Sequence, residues 1–211
     1  MFNLKDKTAI VAGGSGLIGK AIVKGLREQN ADVLNIDSKI GLDLSSLTIK
    51  KIRDLSPDIF INVTYPKNFL THQRLYTKFT KRIAEVMSKK GGSIINFASI
   101  YGMIGSDYRI YEGTDMDCEI EYCAVKGAII SLSRALATKY AKYGVRINWI
   151  VLGGVQDNQP KSFIEKYCDR VPMQRMAMPS DVVGAIVFLA SNDSSYITGT
   201  GITIDGGLTA W

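Results

Sequence analysis

The chain has 211 residues, 46% hydrophobic and 22% charged, the proportions of an ordinary globular protein, and no apolar run reaches membrane-spanning length. Its formal charge of +6 is spread over solvated helix faces, as at Lys50, Lys51 and Arg53 or Lys78, Lys81 and Arg82, which argues against a nucleic-acid partner and leaves a field that attracts small anions. Three cysteines without a C-x-x-C pair, beside a single histidine, argue against a zinc site or disulfide framework and suit a reducing compartment.

The first residues, Met1 to Asp6, lead straight into an apolar strand without a signal-peptide pattern, so a cytoplasmic location and no membrane association are expected. The strand Thr8 to Ala12 precedes a helix near 17–28, a second strand from Asp32 to Ile36 and a third from Asp58 to Val63. Near-helical spacing of Phe69, Leu75, Phe79, Ile83 and Met87 predicts one long helix. Next come a strand from Ser93 to Ala98, a polar loop from Tyr111 to Glu121 suited to shaping a pocket, and a helix from about Glu121 to Tyr143. A strand from Arg146 to Leu152, a helix from Asp181 to Ala190 with Ser180 as N-cap, and a strand from Gly201 to Asp205 complete the series. Alternating strands and helices predict a parallel sheet wrapped by helices, in one domain over residues 1–211.

After the first strand, Gly13-Gly14-Ser15-Gly16-Leu17-Ile18-Gly19 repeats glycine at every third position as a helix begins. Gly13 permits the tight turn, Gly16 lets the backbone approach a pyrophosphate, and Gly19 lets helix and strand pack closely. Free amides at the helix start bind the anion. Asp37, 24 residues beyond Gly13, can accept hydrogen bonds from a ribose diol and repel a ribose phosphate, which favours NAD over NADP. Lys39 beside it keeps NADP open, and the bland role for Asp37 is a solvated turn residue.

Together with Ser99 in I-I-N-F-A-S and Tyr122 and Lys126 in Y-C-A-V-K, this turn resembles the short-chain dehydrogenase/reductase family along essentially the whole chain. Supporting matches are Asp43-Leu44, R-I-N-W-I-V-L-G-G at 146–154 and S-S-Y-I-T-G with I-D-G-G at 194–207. The resemblance implies a three-layer, doubly wound Rossmann-type α/β fold. It implies cofactor contacts from Gly13, Ser15, Gly16, Leu17, Ile18, Gly19, Asp37, Asp43, Leu44, Asn62, Val63, Thr64, Tyr122, Lys126, Gly153 and Val155. Asn62 is expected to tie strands together beside the cofactor. I-Y-G at 100–102, I-Y-E-G-T-D-M at 110–116, D-N-Q-P at 157–160 and the terminal T-A-W resemble a bacterial subgroup encoded with flagellin-glycosylation and nonulosonic-acid genes. This implies a sugar or sugar-phosphate substrate.

Three features depart from the family. The glycines follow G-x-x-G-x-x-G spacing; there is no room for a full helix between Asp37 and Asp43 or between Pro66 and Phe69, so the sheet edge and one cleft wall are expected to be trimmed. The family's catalytic asparagine falls near Thr71 or His72, where no asparagine stands. His72 is the candidate to replace it in passing protons from Lys126; the alternative puts it on the outer helix face beside Gln73 and Arg74.

Tyr122 and Lys126, four apart on a helix, share a face. A tyrosine titrates near 10, and bringing it to neutrality needs about 3 pH units, or roughly 4 kcal/mol. The Lys126 ammonium and a positive nicotinamide ring are expected to contribute much of that. Tyr122 then exchanges a proton with a substrate oxygen that Ser99 holds. The rival reading is a dinucleotide-binding protein that has lost turnover. The stretch Cys123 to Leu136, apolar nearly all round, points to a homodimer or homotetramer.

Overall fold

A computed structural model describes residues 2–41, 47–65 and 69–211, with the backbone alone at 69, 70, 72, 73 and 75. Six strands, β1 (Thr8–Ala12), β2 (Asp32–Ile36), β3 (Ile59–Asn62), β4 (Gly92–Phe97), β5 (Val145–Leu152) and β6 (Gly201–Ile204), form one sheet in the order β2-β1-β3-β4-β5-β6. Every neighbouring pair is parallel. These strands are runs of valine, isoleucine and phenylalanine because a parallel sheet is covered on both faces. The pleat sends alternate residues to opposite cores.

Ala9, Val11, Ile59, Ile61, Ile95 and Ile150 meet α1 (Leu17–Glu28) and α6 (Val183–Ala190) on one face. On the other, Ile10, Phe60, Ile94 and Ile147 meet Ile52 of α2 (Ile49–Leu55), Phe79 and Ile83 of α3 (Phe69–Met87), and Leu136 and Tyr140 of α4 (Ile120–Tyr140). The result is the doubly wound three-layer α/β sandwich. Its strand order reverses between β1 and β3, which places the crevice for a ligand beyond their carboxyl ends. Strand β2 is one edge of the sheet, as the shortened segment after Asp37 implies.

Two local expectations change. Ser180 is not an N-cap: Pro179, with its fixed φ, takes the first position of a helical turn over Pro179–Val182, which moves the cap back to Met178. The Asp181 carboxylate accepts the Met178 amide at 2.8 Å. The helix α5 (Lys161–Cys168) was not expected. Its buried residues are only Phe163 and Tyr167, one turn apart, too short a stripe to stand out as a period. The loop expected from Tyr111 runs to Glu119, where α4 begins. Among the described residues no helix is long and apolar enough to cross a membrane.

Candidate active site

All strands run the same way, so the segments following β1, β2, β3, β4 and β5 gather at one end of the sheet. Two hollows lie there, of 530 Å³ and 550 Å³. They share Ile18, Val63, Thr64 and Tyr65 as a common wall and so form one continuous cleft.

The glycine turn and Asp37 line the first hollow. Gly13 has φ +86°, and a Cβ there would stand 3.0 Å from the Thr64 nitrogen and the Val63 carbonyl. A Cβ on Gly19 would lie 2.1 Å from the Gly13 oxygen, so these two positions are set by the protein's own backbone. Gly16 differs: its nearest neighbour would be the Gly13 oxygen at 3.4 Å, an ordinary contact. It caps α1 without a side chain, so the first-turn amides keep their capacity to bind an anion. Leu17 and Ile18 line the same hollow.

Asp37 is half-buried, and its two oxygens accept the amides of Ser15 and Lys39, each at 2.9 Å. It therefore braces the turn while facing the hollow with Lys39. Ser15 faces β2 instead: Asn35 Nδ2 donates to its hydroxyl at 3.0 Å, and it borders a separate depression with Lys20 and Arg27. Asp43 and Leu44 lie outside the described residues.

Asn62, fully buried at the end of β3, does not bridge strands as expected. Its Oδ1 accepts the Thr64 hydroxyl at 2.7 Å and the Thr64 amide at 3.3 Å, tying the strand to its own exit loop. Its Nδ2 has no hydrogen-bond partner among the described residues. A buried donor without a partner costs about 1–3 kcal/mol, so this amide, the capless α1 terminus and the open side of Gly16 together fit a dinucleotide rich in acceptor oxygens.

Ser99, Tyr122 and Lys126 line the second hollow. Ser99 follows β4 and is 4% exposed, and its hydroxyl accepts the Tyr101 amide at 3.3 Å. Burial pushes the Tyr122 phenol up to about 12, and the neighbouring Ser99 hydroxyl pulls the other way. Lys126 is 6% exposed; its Nζ donates to the Phe97 carbonyl at 3.0 Å, and burial brings it down to about 7. In the protein alone, desolvation therefore outweighs the expected help from Lys126 to the Tyr122 phenolate. Lys126 Nζ lies 5.5 Å from the Tyr122 ring centre and 5.9 Å from that of Tyr76.

Among the described side chains of α3, Tyr76 meets Lys126. His72, one turn earlier, belongs to α3 by its backbone, but its side chain lies outside the described residues. Tyr76 is buried with Phe79, Ile83 and Met87 but was not in the stripe read from the sequence, which took Leu75 at that turn; nothing in the spacing marks the residue that faces a lysine.

The second hollow is otherwise walled by Tyr101, Tyr111, Met116, Asp117, Cys118 and Glu119, with Gly153, Gly154, Val155, Gln159, Phe163 and Tyr167 opposite. The Tyr65 ring meets Tyr122 edge-on at 5.7 Å. Cys118 precedes the α4 cap Glu119, and its sulfur lies 3.7 Å from that of Cys123 in the first turn. Such a contact across the start of a helix fixes the chain's entry angle, here for the turn that carries Tyr122.

Comparison with known proteins finds relatives that share this fold. The family model described as enoyl-(acyl carrier protein) reductase matches residues 75–209. The chain is 26% identical to the post-translational flagellin modification protein A of Campylobacter coli, over 97% of this chain and 98% of that protein. A short-chain dehydrogenase from Leptospira borgpetersenii, solved with bound NAD+, superposes with a TM-score of 0.81 at 31% identity, covering 97% of this chain and 93% of that one. A gluconate 5-dehydrogenase from Burkholderia cenocepacia, in complex with NADP and tartrate, shares the fold with a TM-score of 0.77 at 20% identity, over 100% of this chain and 98% of its own.

Proposed function

We propose that this chain, which belongs to the short-chain dehydrogenase/reductase family of NAD(P)-dependent oxidoreductases, interconverts a hydroxyl and a carbonyl on a sugar or sugar-phosphate substrate, with Tyr122 as the general acid/base. The observation that carries the reading is the convergence of Ser99, Tyr122 and Lys126 on one hollow continuous with the glycine turn. The sugar class is supported by the full-length likeness to the flagellin modification protein and by a cleft wall rich in tyrosine hydroxyls, carboxylates and Gln159.

In this reading Gly13, Gly16 and the first turn of α1 hold the pyrophosphate, and Asp37 meets the adenosine ribose, favouring NAD over NADP. The Asn62 amide and Lys126 stand beside the nicotinamide half. The bound nicotinamide supplies the hydride acceptor or donor. Ser99 donates to the reacting oxygen, and Tyr122 takes up or returns its proton. The whole of 1–211 acts as one nucleotide-binding domain. The free thiols of Cys118, Cys123 and Cys168 support a cytoplasmic site of action. The outward residues Ala124, Ala128, Ser131 and Ala135 of α4 give a smooth face for a homodimer or homotetramer.

The test is to supply purified protein with NAD or NADP and a panel of sugars and sugar phosphates, following the reduced-nicotinamide absorbance. Turnover on one panel member, with NAD preferred, is the expected result. Dinucleotide binding without turnover across the panel would instead favour the rival reading, which the raised Tyr122 phenol keeps physically reasonable.

A further inference from the structure

We propose that Tyr76 is the positioning residue for Lys126: its ring packs near the ammonium, and its hydroxyl fastens that ring to the end of β3. This rests on the assignment of Tyr122 and Lys126 to the reaction.

Lysine carries its charge on a long flexible stem, so the site needs something to confine it. The oxygen it donates to is the Phe97 carbonyl of β4, at 3.0 Å. The aromatic rings of Tyr76 and Tyr122 stand around it, with centres at 5.9 Å and 5.5 Å, within the range where a ring face attracts a cation. Among the described residues, Tyr76 from α3 and Tyr122 from α4 are the titratable groups facing the ammonium, and β4 contributes the Phe97 carbonyl.

The Tyr76 ring cannot drift. It is 1% exposed, and its hydroxyl donates to the Asn62 carbonyl at 2.7 Å, with the Thr64 carbonyl at 3.4 Å. One turn further along α3, Thr80 donates to Asn96 of β4 at 3.3 Å. Asn96 in turn donates to Ser133 of α4 at 2.9 Å. Thus α3 is bound to β3, β4 and α4 on both sides of the Lys126 chamber. The lowered Lys126 titration, caused by burial alone, fits an ammonium held against these groups and shielded from water.

The experiment uses protein labelled with 13C-lysine, in which the Lys126 signal is expected to titrate near pH 7 and is identified by its loss in Lys126→Ala. Tyr76→Ala should admit water, move that midpoint up by about one pH unit or more, and lower kcat about tenfold or more. Tyr76→Phe keeps the ring and should hold the midpoint while retaining about a third or more of the parent kcat. Should Ala unfold the chain, Tyr76→Leu removes the ring while keeping more apolar volume in its place, and the Ala outcomes are expected of it. Retention of either the parent midpoint or the parent rate in the ring-less variant overturns the proposal. Parent turnover in Lys126→Ala overturns the reading of the site itself, and the proposal with it.

Discussion

Lys126 and Tyr122 pull stability and function in opposite directions. With Lys126 at about 7 in the folded chain and near 10.4 when unfolded, the unfolded chain binds more protons between these values. Stability therefore rises with pH through that window, and the penalty is fully in force below it. Tyr122 and Tyr167, pushed by burial up to about 12, have the reverse effect: their contribution is intact below pH 10 and is lost as pH climbs through 12. Denaturant unfolding of the cofactor-free protein should accordingly show stability climbing from pH 7 to about 10 and falling beyond. Lys126→Met should remove most of the climb and stabilise the protein at pH 7 by a few kcal/mol, while abolishing turnover. A flat profile in the parent would show that water reaches the ammonium. Tyr122→Phe, in contrast, deletes only the proton-carrying oxygen. It should bind NAD within about threefold of the parent yet lower kcat by about a thousandfold or more, measured by titration and by steady-state rates. A variant with the parent rate on the true substrate would remove Tyr122 from its assigned role.

At the scale of elements, the glycine turn shows how local rules read from sequence acquire distinct causes in three dimensions. Alanine is better than glycine inside a helix by about 1 kcal/mol, so two helical glycines offer a controlled comparison. At Gly184 in α6, an added Cβ meets nothing within 4 Å. Gly184→Ala should therefore stabilise by up to about 0.5–1 kcal/mol and leave turnover unchanged. At Gly19 in α1 the same methyl would sit 2.1 Å from the Gly13 oxygen and 2.6 Å from the Gly14 Cα. Backbone must give way there, so Gly19→Ala should destabilise by about 1–3 kcal/mol and weaken NAD binding by displacing the turn. Thermal denaturation with and without NAD measures both variants; equal effects at the two sites would show that propensity, not packing, governs the turn. The triplet spacing of the glycines was visible in the sequence. That Gly13 is confined by Val63 and Thr64 was not, because it depends on where β3 ends. The same limit applies to Cys118 and Cys123, whose contact requires knowing that α4 starts at Ile120.

For the whole molecule, the short apolar runs of β1, β3, β4 and β5, buried on both faces, and the apolar stripes of α1 and α3 made the α/β sandwich readable, since each serves a layer contact. The cleft was half readable: its cofactor end follows from a local motif, while Tyr65, Tyr76, Tyr101 and Tyr167 come together only through the sheet order. Assembly is the remaining question at this scale, and α4 supplies the argument. One side of it, Val125, Ile129, Ser133, Leu136 and Tyr140, is buried within the chain. The other carries Ala124, Ala128, Ser131 and Ala135 at the spacing of a single helix face, with small side chains that allow another helix to approach closely. A stable interface needs about 800 Å² from each partner, more than one such face supplies, so the adjoining surface of α3 must take part. Sedimentation at micromolar concentration should therefore give a dimer or tetramer. Ala128→Glu, placing a charge at the centre of the contact, should shift the protein toward monomer while leaving its far-ultraviolet circular dichroism unchanged. A parent protein that sediments only as a monomer would leave α4 a solvent face whose small residues serve nothing but its own helix.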